Sequence, residues 1–121
     1  MNLKDITIHF AHPAYQLSTL FDLRQTGIKH FQTWTHDDLR ARIGEGDVLV
    51  ISGYWKNELL PDADKLRFAQ VCGAGYDMFD LDAVRAKGVR LAHASGINVN
   101  GVSDHAMALL LALTRQIHTG R

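Results

Sequence analysis

Two glycine-bearing loops hold the residues best placed to do chemistry. Gly73-Ala74-Gly75 follows an apolar run at residues 68–72, and Ser95-Gly96-Ile97-Asn98 follows another at 89–92. Glycine permits backbone angles and close approaches that a Cβ forbids, so consecutive N–H groups of the first loop can converge on an anion such as a carboxylate. A tight strand-to-helix turn calls for the same residues on geometry alone, and spacing does not separate the two readings. Asn98 offers a donor and acceptors near the same place, although asparagine is also an ordinary turn residue. Asp104-His105 lies one turn into the last helix, where a carboxylate is favoured by the helix dipole. His105 reads as a core histidine bonded to a backbone carbonyl rather than as a catalytic group. Tyr54 and Trp55, beyond the run at 48–51, either wall the same crevice or cover the hydrophobic edge of a sheet.

The same residues exclude several chemistries. A dinucleotide fingerprint needs a third glycine where Met78 stands, and Gly44-x-Gly46 precedes a strand instead of following one. His9, His12, His30, His36, His93 and His118 show no ligand spacing matched with cysteine or carboxylate, so no metal is expected. A phosphoacceptor receiver needs acidic residues after the first strand and an aspartate after the third; here stand Ala11-His12 and Ser52-Gly53. A flavin-phosphate loop rich in hydroxyls and glycine is not supplied by His12-Pro13-Ala14-Tyr15. A stand-alone flavodoxin-like binding or interaction module stays open as an alternative to part of an enzyme.

The elements that must position these loops follow from hydrophobic periodicity. Strand-like runs at 6–10, 28–33, 48–51, 68–72 and 89–92 alternate with helical patterns at 14–25, from about 35 to 43, 81–87 and 102–118. Gly27 and Gly88 stop helices, and Asp80 and Asn100 are the expected N-caps of the third and fourth. Right-handed crossovers then give an α/β fold of flavodoxin-like type. Its parallel sheet is doubly wound and five-stranded, in order 2-1-3-4-5, with helices on both faces. In such sheets ligands bind beyond the carboxyl ends of the strands, where both glycine loops lie.

The last helix carries a stripe of Val102, Ala106, Leu109, Leu110, Leu113 and Ile117, enough to dock on a sheet and to fold back over strand five. Met107, Ala108, Leu111 and Ala112 cover much of its other side. A helix apolar nearly all round is normally buried on several sides. Its spare face is therefore either tolerated greasy surface or the contact with another domain or subunit, including a homodimer or helix exchange through residues 102–118.

At 121 residues, with 46% apolar and 21% charged residues, the chain has the composition of one globular domain. Thirteen basic residues balance thirteen acidic ones, leaving no basic excess for nucleic acid or an anionic membrane. The single cysteine, Cys72, excludes an internal disulfide and fits a reducing compartment, hence a cytoplasmic protein. The start has no secretory-signal pattern. The longest apolar run, 106–113, is far short of the ~20 residues a membrane helix needs.

The run VCGAGYDMFDLDAVRAKGVRLAHASGINVNGVSDHAMALLLALTRQI resembles the first, substrate-binding domain of the NAD(P)-dependent D-2-hydroxyacid dehydrogenases. That group includes glyoxylate/hydroxypyruvate reductases, phosphoglycerate dehydrogenase and formate dehydrogenase. The G-x-G-x-D loop, the D-x-x-A-x-x-x-G-V step and the G-x-N-x-x-x-V-x-[DE]-H stretch occur in register. The resemblance implies a 2-keto acid or 2-hydroxy acid substrate whose carboxylate is held by the amides of Ala74 and Gly75, with Asn98 close by. It further implies that Val102 contacts the nicotinamide of NAD or NADP, and that residues 52–55, Trp55 included, shape the pocket. One departure is Val102-Ser103-Asp104-His105, where V-A-E-H is common. The dinucleotide fingerprint, the substrate-orienting arginine and the acid/base histidine with its carboxylate partner are expected downstream in a separate Rossmann domain. Residues 1–121 are accordingly read as a single flavodoxin-like domain with no catalytic residue of its own. It is expected to bind no cofactor alone and to be inactive alone.

Overall fold

The computed structural model describes residues 5–117, 119 and 120. β3 (Val48–Ile51), the VLVI run without a polar interruption, is the centre of the sheet. β1 (Thr7–Ala11) and β4 (Phe68–Val71) flank it, with β2 (Lys29–Thr33) outside β1 and β5 (Arg90–His93) outside β4. All four pairings are parallel and the order is β2-β1-β3-β4-β5, as the alternating pattern predicts.

Register decides which side of the sheet is the core. Leu49 lies opposite His9 and Ala69, and Ile51 opposite Ala11 and Val71. Side chains in register on adjacent strands share a face, and all six of these are buried. α2 (His36–Arg42) covers that face through Leu39, and a single 3-10 turn, Ile43–Glu45, continues it with Ile43. α3 (Leu81–Ala86) adds Val84, and Leu59, Leu60, Ala63 and Leu66 fill the space between. On the other face Ile8, Val48, Val50 and Phe68 are only half-buried. There α1 (Leu17–Asp22) covers the β1–β2 end, with the Phe21 ring 5.6 Å from that of Phe10. Helices occupy both faces, but unequally.

Two helix ends follow the expected cap chemistry. Thr35 Oγ1 accepts the Asp38 N–H at 3.1 Å, and Asp80 Oδ1 accepts those of Asp82 and Ala83. α1 is much shorter than the 14–25 pattern suggests. His12 Nδ1 accepts the amide N–H groups of Ala14 and Tyr15, which holds that segment in a turn. Gln32 Oε1 takes the Ser18 N–H and its Nε2 donates to the Tyr15 carbonyl, fixing the entry to the helix. Left-handed backbone at Gln25 and Gly27 (φ 50° and 70°) ends the segment.

α4 (Val99–Thr114) departs furthest from expectation. It starts three residues earlier than expected, and Asn98 stands at the N-cap instead of Asn100, without a side-chain cap bond. His118, the expected end, lies outside the described residues. The 102–117 stripe does not dock on the sheet and the helix does not fold back over β5: none of its residues is buried, and Val102, Leu113 and Ile117 are about two-thirds exposed. Among the described residues its apolar sides stay largely exposed, apart from Val102 and Ala106, which face the two glycine loops across a cavity.

One close approach makes a prediction. A Cβ added at Gly46 would lie 2.8 Å from His9 Cβ, inside the packed β1–β3 edge. Gly46→Ala should therefore cost about 1–3 kcal/mol through overpacking, read as a lower urea midpoint at unchanged slope.

Candidate acid-binding site

The carboxyl ends of β4 and β5 deliver the two glycine loops to one place. Cys72 N donates to the Ile51 carbonyl (2.9 Å), carrying the β3–β4 ladder one residue past the strand. Ala94 N donates to the Gly73 carbonyl (3.0 Å), clipping the exit of β5 to the start of the first loop. From Gly73 to Met78 no amide donates a hydrogen bond within the described residues, and 73–77 are exposed to solvent. The next bond is Phe79 N to the Tyr76 carbonyl, 3.0 Å, where the chain turns into α3.

The two glycines of this loop adopt no backbone that only glycine tolerates. Neither Gly73 nor Gly75 has left-handed backbone, a Cβ at Gly73 would meet nothing within 4 Å, and one at Gly75 would sit at an ordinary 3.5 Å from Asp77 Oδ2. Gly96 differs: its φ of +88° demands glycine for conformation alone.

These loops and the first turns of α4 enclose a cavity of about 440 Å³. Cys72, Gly73 and Ala74 form one side, residues 95–99 the second, and Val102, Ser103 and Ala106 the third. Burial pushes the Cys72 thiol above its ordinary pKa, so the cavity floor holds a neutral group at pH 7. The Ser103 hydroxyl donates back to the Val99 and Asn100 carbonyls (2.9 and 3.0 Å) and is committed to the helix. Asn98, by contrast, makes no side-chain cap bond among the described residues.

The structure thus brings Ala74, Asn98 and Val102 together around one cavity, with Gly75 adjacent in the same loop. It does not bring Trp55 there. Trp55 is buried in the core, its indole stacked on Phe79 at 4.7 Å and 18°, and its Nε1–H donates to Asn57 Oδ1 at 2.9 Å. Tyr54 donates from its hydroxyl to the Trp34 carbonyl. Asp104 and His105 are both exposed, so His105 is not the core histidine its position suggests. The sequence gives no prominence to Cys72 and Ser95 as lining residues, although both adjoin the glycines that mark the loops. Among the described residues no group of histidine, cysteine and acidic side chains could hold a metal ion, and no helix is long and apolar enough to cross a membrane.

Comparison with known proteins identifies the family. Residues 10–119 match the family model described as D-isomer specific 2-hydroxyacid dehydrogenase, catalytic domain. The D-3-phosphoglycerate dehydrogenase of Mycobacterium tuberculosis is 39% identical over 83 residues, which are 67% of this chain and 16% of that protein. The glyoxylate/hydroxypyruvate reductase B of Serratia proteamaculans is 33% identical over 105 residues, 79% of this chain and 32% of that one. The chain therefore spans a third or less of these relatives. Among solved structures, the NAD-dependent formate dehydrogenase of Staphylococcus aureus in complex with NAD superposes with a TM-score of 0.78 at 22% identity, covering 95% of this chain and 40% of that one. That likeness bears on the fold alone. On the family match across nearly the whole chain, this protein belongs to the D-isomer specific 2-hydroxyacid dehydrogenase family.

Proposed function

We propose that this chain is the acid-binding part of a dehydrogenase acting on small 2-keto or 2-hydroxy acids, in the cytosol, with NAD or NADP as partner cofactor. The observation that carries the reading is the solvent-facing loop of residues 73–78, whose amides have no hydrogen-bond partner among the described residues. The Ala74 and Gly75 N–H groups receive the substrate carboxylate, and the Asn98 amide reaches the same ligand. Two charge-assisted bonds contribute about 3–6 kcal/mol, hence a dissociation constant between about 6 mM and about 0.04 mM. Trp55 acts from below, by packing on Phe79 rather than by touching substrate.

A nicotinamide fits the remaining wall, since Val99, Val102 and Ala106 offer an apolar surface beside the acid loop. When bound, that group supplies the hydride. The residues of this chain hold the acid and shield one side of the cavity from water; the neutral Cys72 thiol adds no competing charge. Hydride transfer also needs an aligned cofactor and a proton donor in reach. We assign both to a Rossmann domain outside residues 1–121, and the chain alone is inactive in this account. The exposed apolar sides of α4 are the contact for that domain or, through residues 102–118, for a second copy.

The test is equilibrium binding of glyoxylate against its neutral amide, glyoxylamide. Glyoxylate should bind with a constant on the order of 1 mM and the amide at least about tenfold more weakly, since only the former brings a charge to the loop. Equal binding of the two, or none of either, contradicts the reading.

A further inference from the structure

We infer that Asn57, remote in sequence from both glycine loops, is the positioning residue of the acid-binding loop. The inference rests on the reading just given.

The loop needs two anchors to hold its free amides in one arrangement. The first is the strand ladder at Cys72. The second is a knot beneath its far end. Asn57 Oδ1 accepts the Trp55 indole N–H and the Asp80 backbone N–H, each at 2.9 Å. Trp55 lies flat on Phe79, the residue that closes the loop, and Asp80 caps α3. One carbonyl oxygen therefore joins the segment after β3 to the point where the loop becomes helix. Phe79 and Trp55 are buried at this junction, 6% and 4% exposed, which shields the indole side of the knot, whereas Asn57 and Asp80 lie at the surface. The opposite end of α3 is tied to the same segment separately: Lys87 Nζ donates to the Leu60 and Pro61 carbonyls. That second tie lies away from the loop and provides an internal control.

Asn57→Ala removes the shared acceptor and frees the loop end, so glyoxylate binding by the full 121-residue chain should weaken about tenfold, the equivalent of one lost hydrogen bond. Asn57→Asp keeps an acceptor oxygen in place and should restore affinity to within about twofold of native. Lys87→Met loosens α3 at its other end. It should lower stability while leaving glyoxylate affinity within about twofold. Should Asn57→Ala be too unstable to titrate, Trp55→Phe retains the ring stack and deletes one donor, with about threefold weaker binding expected.

Native affinity in Asn57→Ala or, where that variant cannot be titrated, in Trp55→Phe overturns the inference. So does parallel weakening in Asn57→Ala and Lys87→Met, because the effect would then be general destabilisation. Failure of the native chain to bind glyoxylate at all is a different result. It removes the acid-binding reading itself and the inference with it.

Discussion

Replacing Ala74 by proline is expected to abolish most of the affinity for a 2-keto acid, lowering it by about ten- to a hundredfold. The substitution deletes one amide donor, and it also fixes the local φ and restricts Gly73 before it. A hydrogen bond to a charged group contributes about 1.5–3 kcal/mol, and each 1.4 kcal/mol is tenfold in binding. Ala74 is exposed and its amide has no partner among the described residues, so the fold loses no internal bond in the exchange. Ala74→Ser, which keeps the N–H, should bind as the native chain does. Titration of both variants with glyoxylate, after circular dichroism has shown them folded, separates the outcomes. Undiminished binding by the proline variant would remove this amide from the site.

The second large effect concerns stability and pH. His9 sits on β1 at 1% exposure, with Nε2 2.8 Å from Thr33 Oγ1 and Nδ1 without a partner among the described residues. Its ring lies 4.3 Å from that of Phe31, over which the Arg42 guanidinium is placed at 3.8 Å. Burial, and next the Arg42 charge, lower its pKa from 6.5 to about 4, against a smaller opposing pull from Glu45. The folded state thus keeps His9 neutral where the unfolded chain would protonate it. Stability from this group is complete above pH 6.5, falls as pH drops, and is gone below about 4, where both states carry the proton. The shift corresponds to about 3 kcal/mol, a large share of the 5–15 kcal/mol typical of a whole domain. Urea unfolding of native chain and His9→Leu at pH 7 and pH 4 should show the native chain losing about 3 kcal/mol more than the variant across that interval. Equal losses would mean that His9 is not held neutral by the fold.

What could be read from the residues, and what could not, divides along a physical line. The uninterrupted run at β3, the period-two and helical patterns around it, and the right-handed crossover rule were sufficient for the strand order, because each depends on local sequence and a general constraint. The glycine loops were legible as a pair because glycine is conspicuous. Which glycine is demanded by conformation was not, since Gly96 and Gly75 look alike until φ and the neighbouring atoms are known. α1 was overestimated because the apolar spacing continues through residues that His12 and Gln32 hold in other hydrogen bonds. Trp55 was misplaced for a related reason: an aromatic residue after a strand suits a crevice wall or a core, and only its stack on Phe79 decides. Asn57 left no signal, because one side-chain oxygen serving two donors 2 and 23 residues away has no sequence pattern. The apolar sides of α4 were visible in composition, but periodicity says only that a helix could be buried, not against what, and none of its residues is buried here.

Amide-resolved NMR during a glyoxylate titration tests the central claim most directly. The cradle of free N–H groups predicts that the largest saturable shifts fall on Ala74 and Gly75, with Asn98 following and the opposite, amino-terminal edge of the sheet unmoved. Saturable shifts centred anywhere else, with residues 73–77 silent, would contradict it.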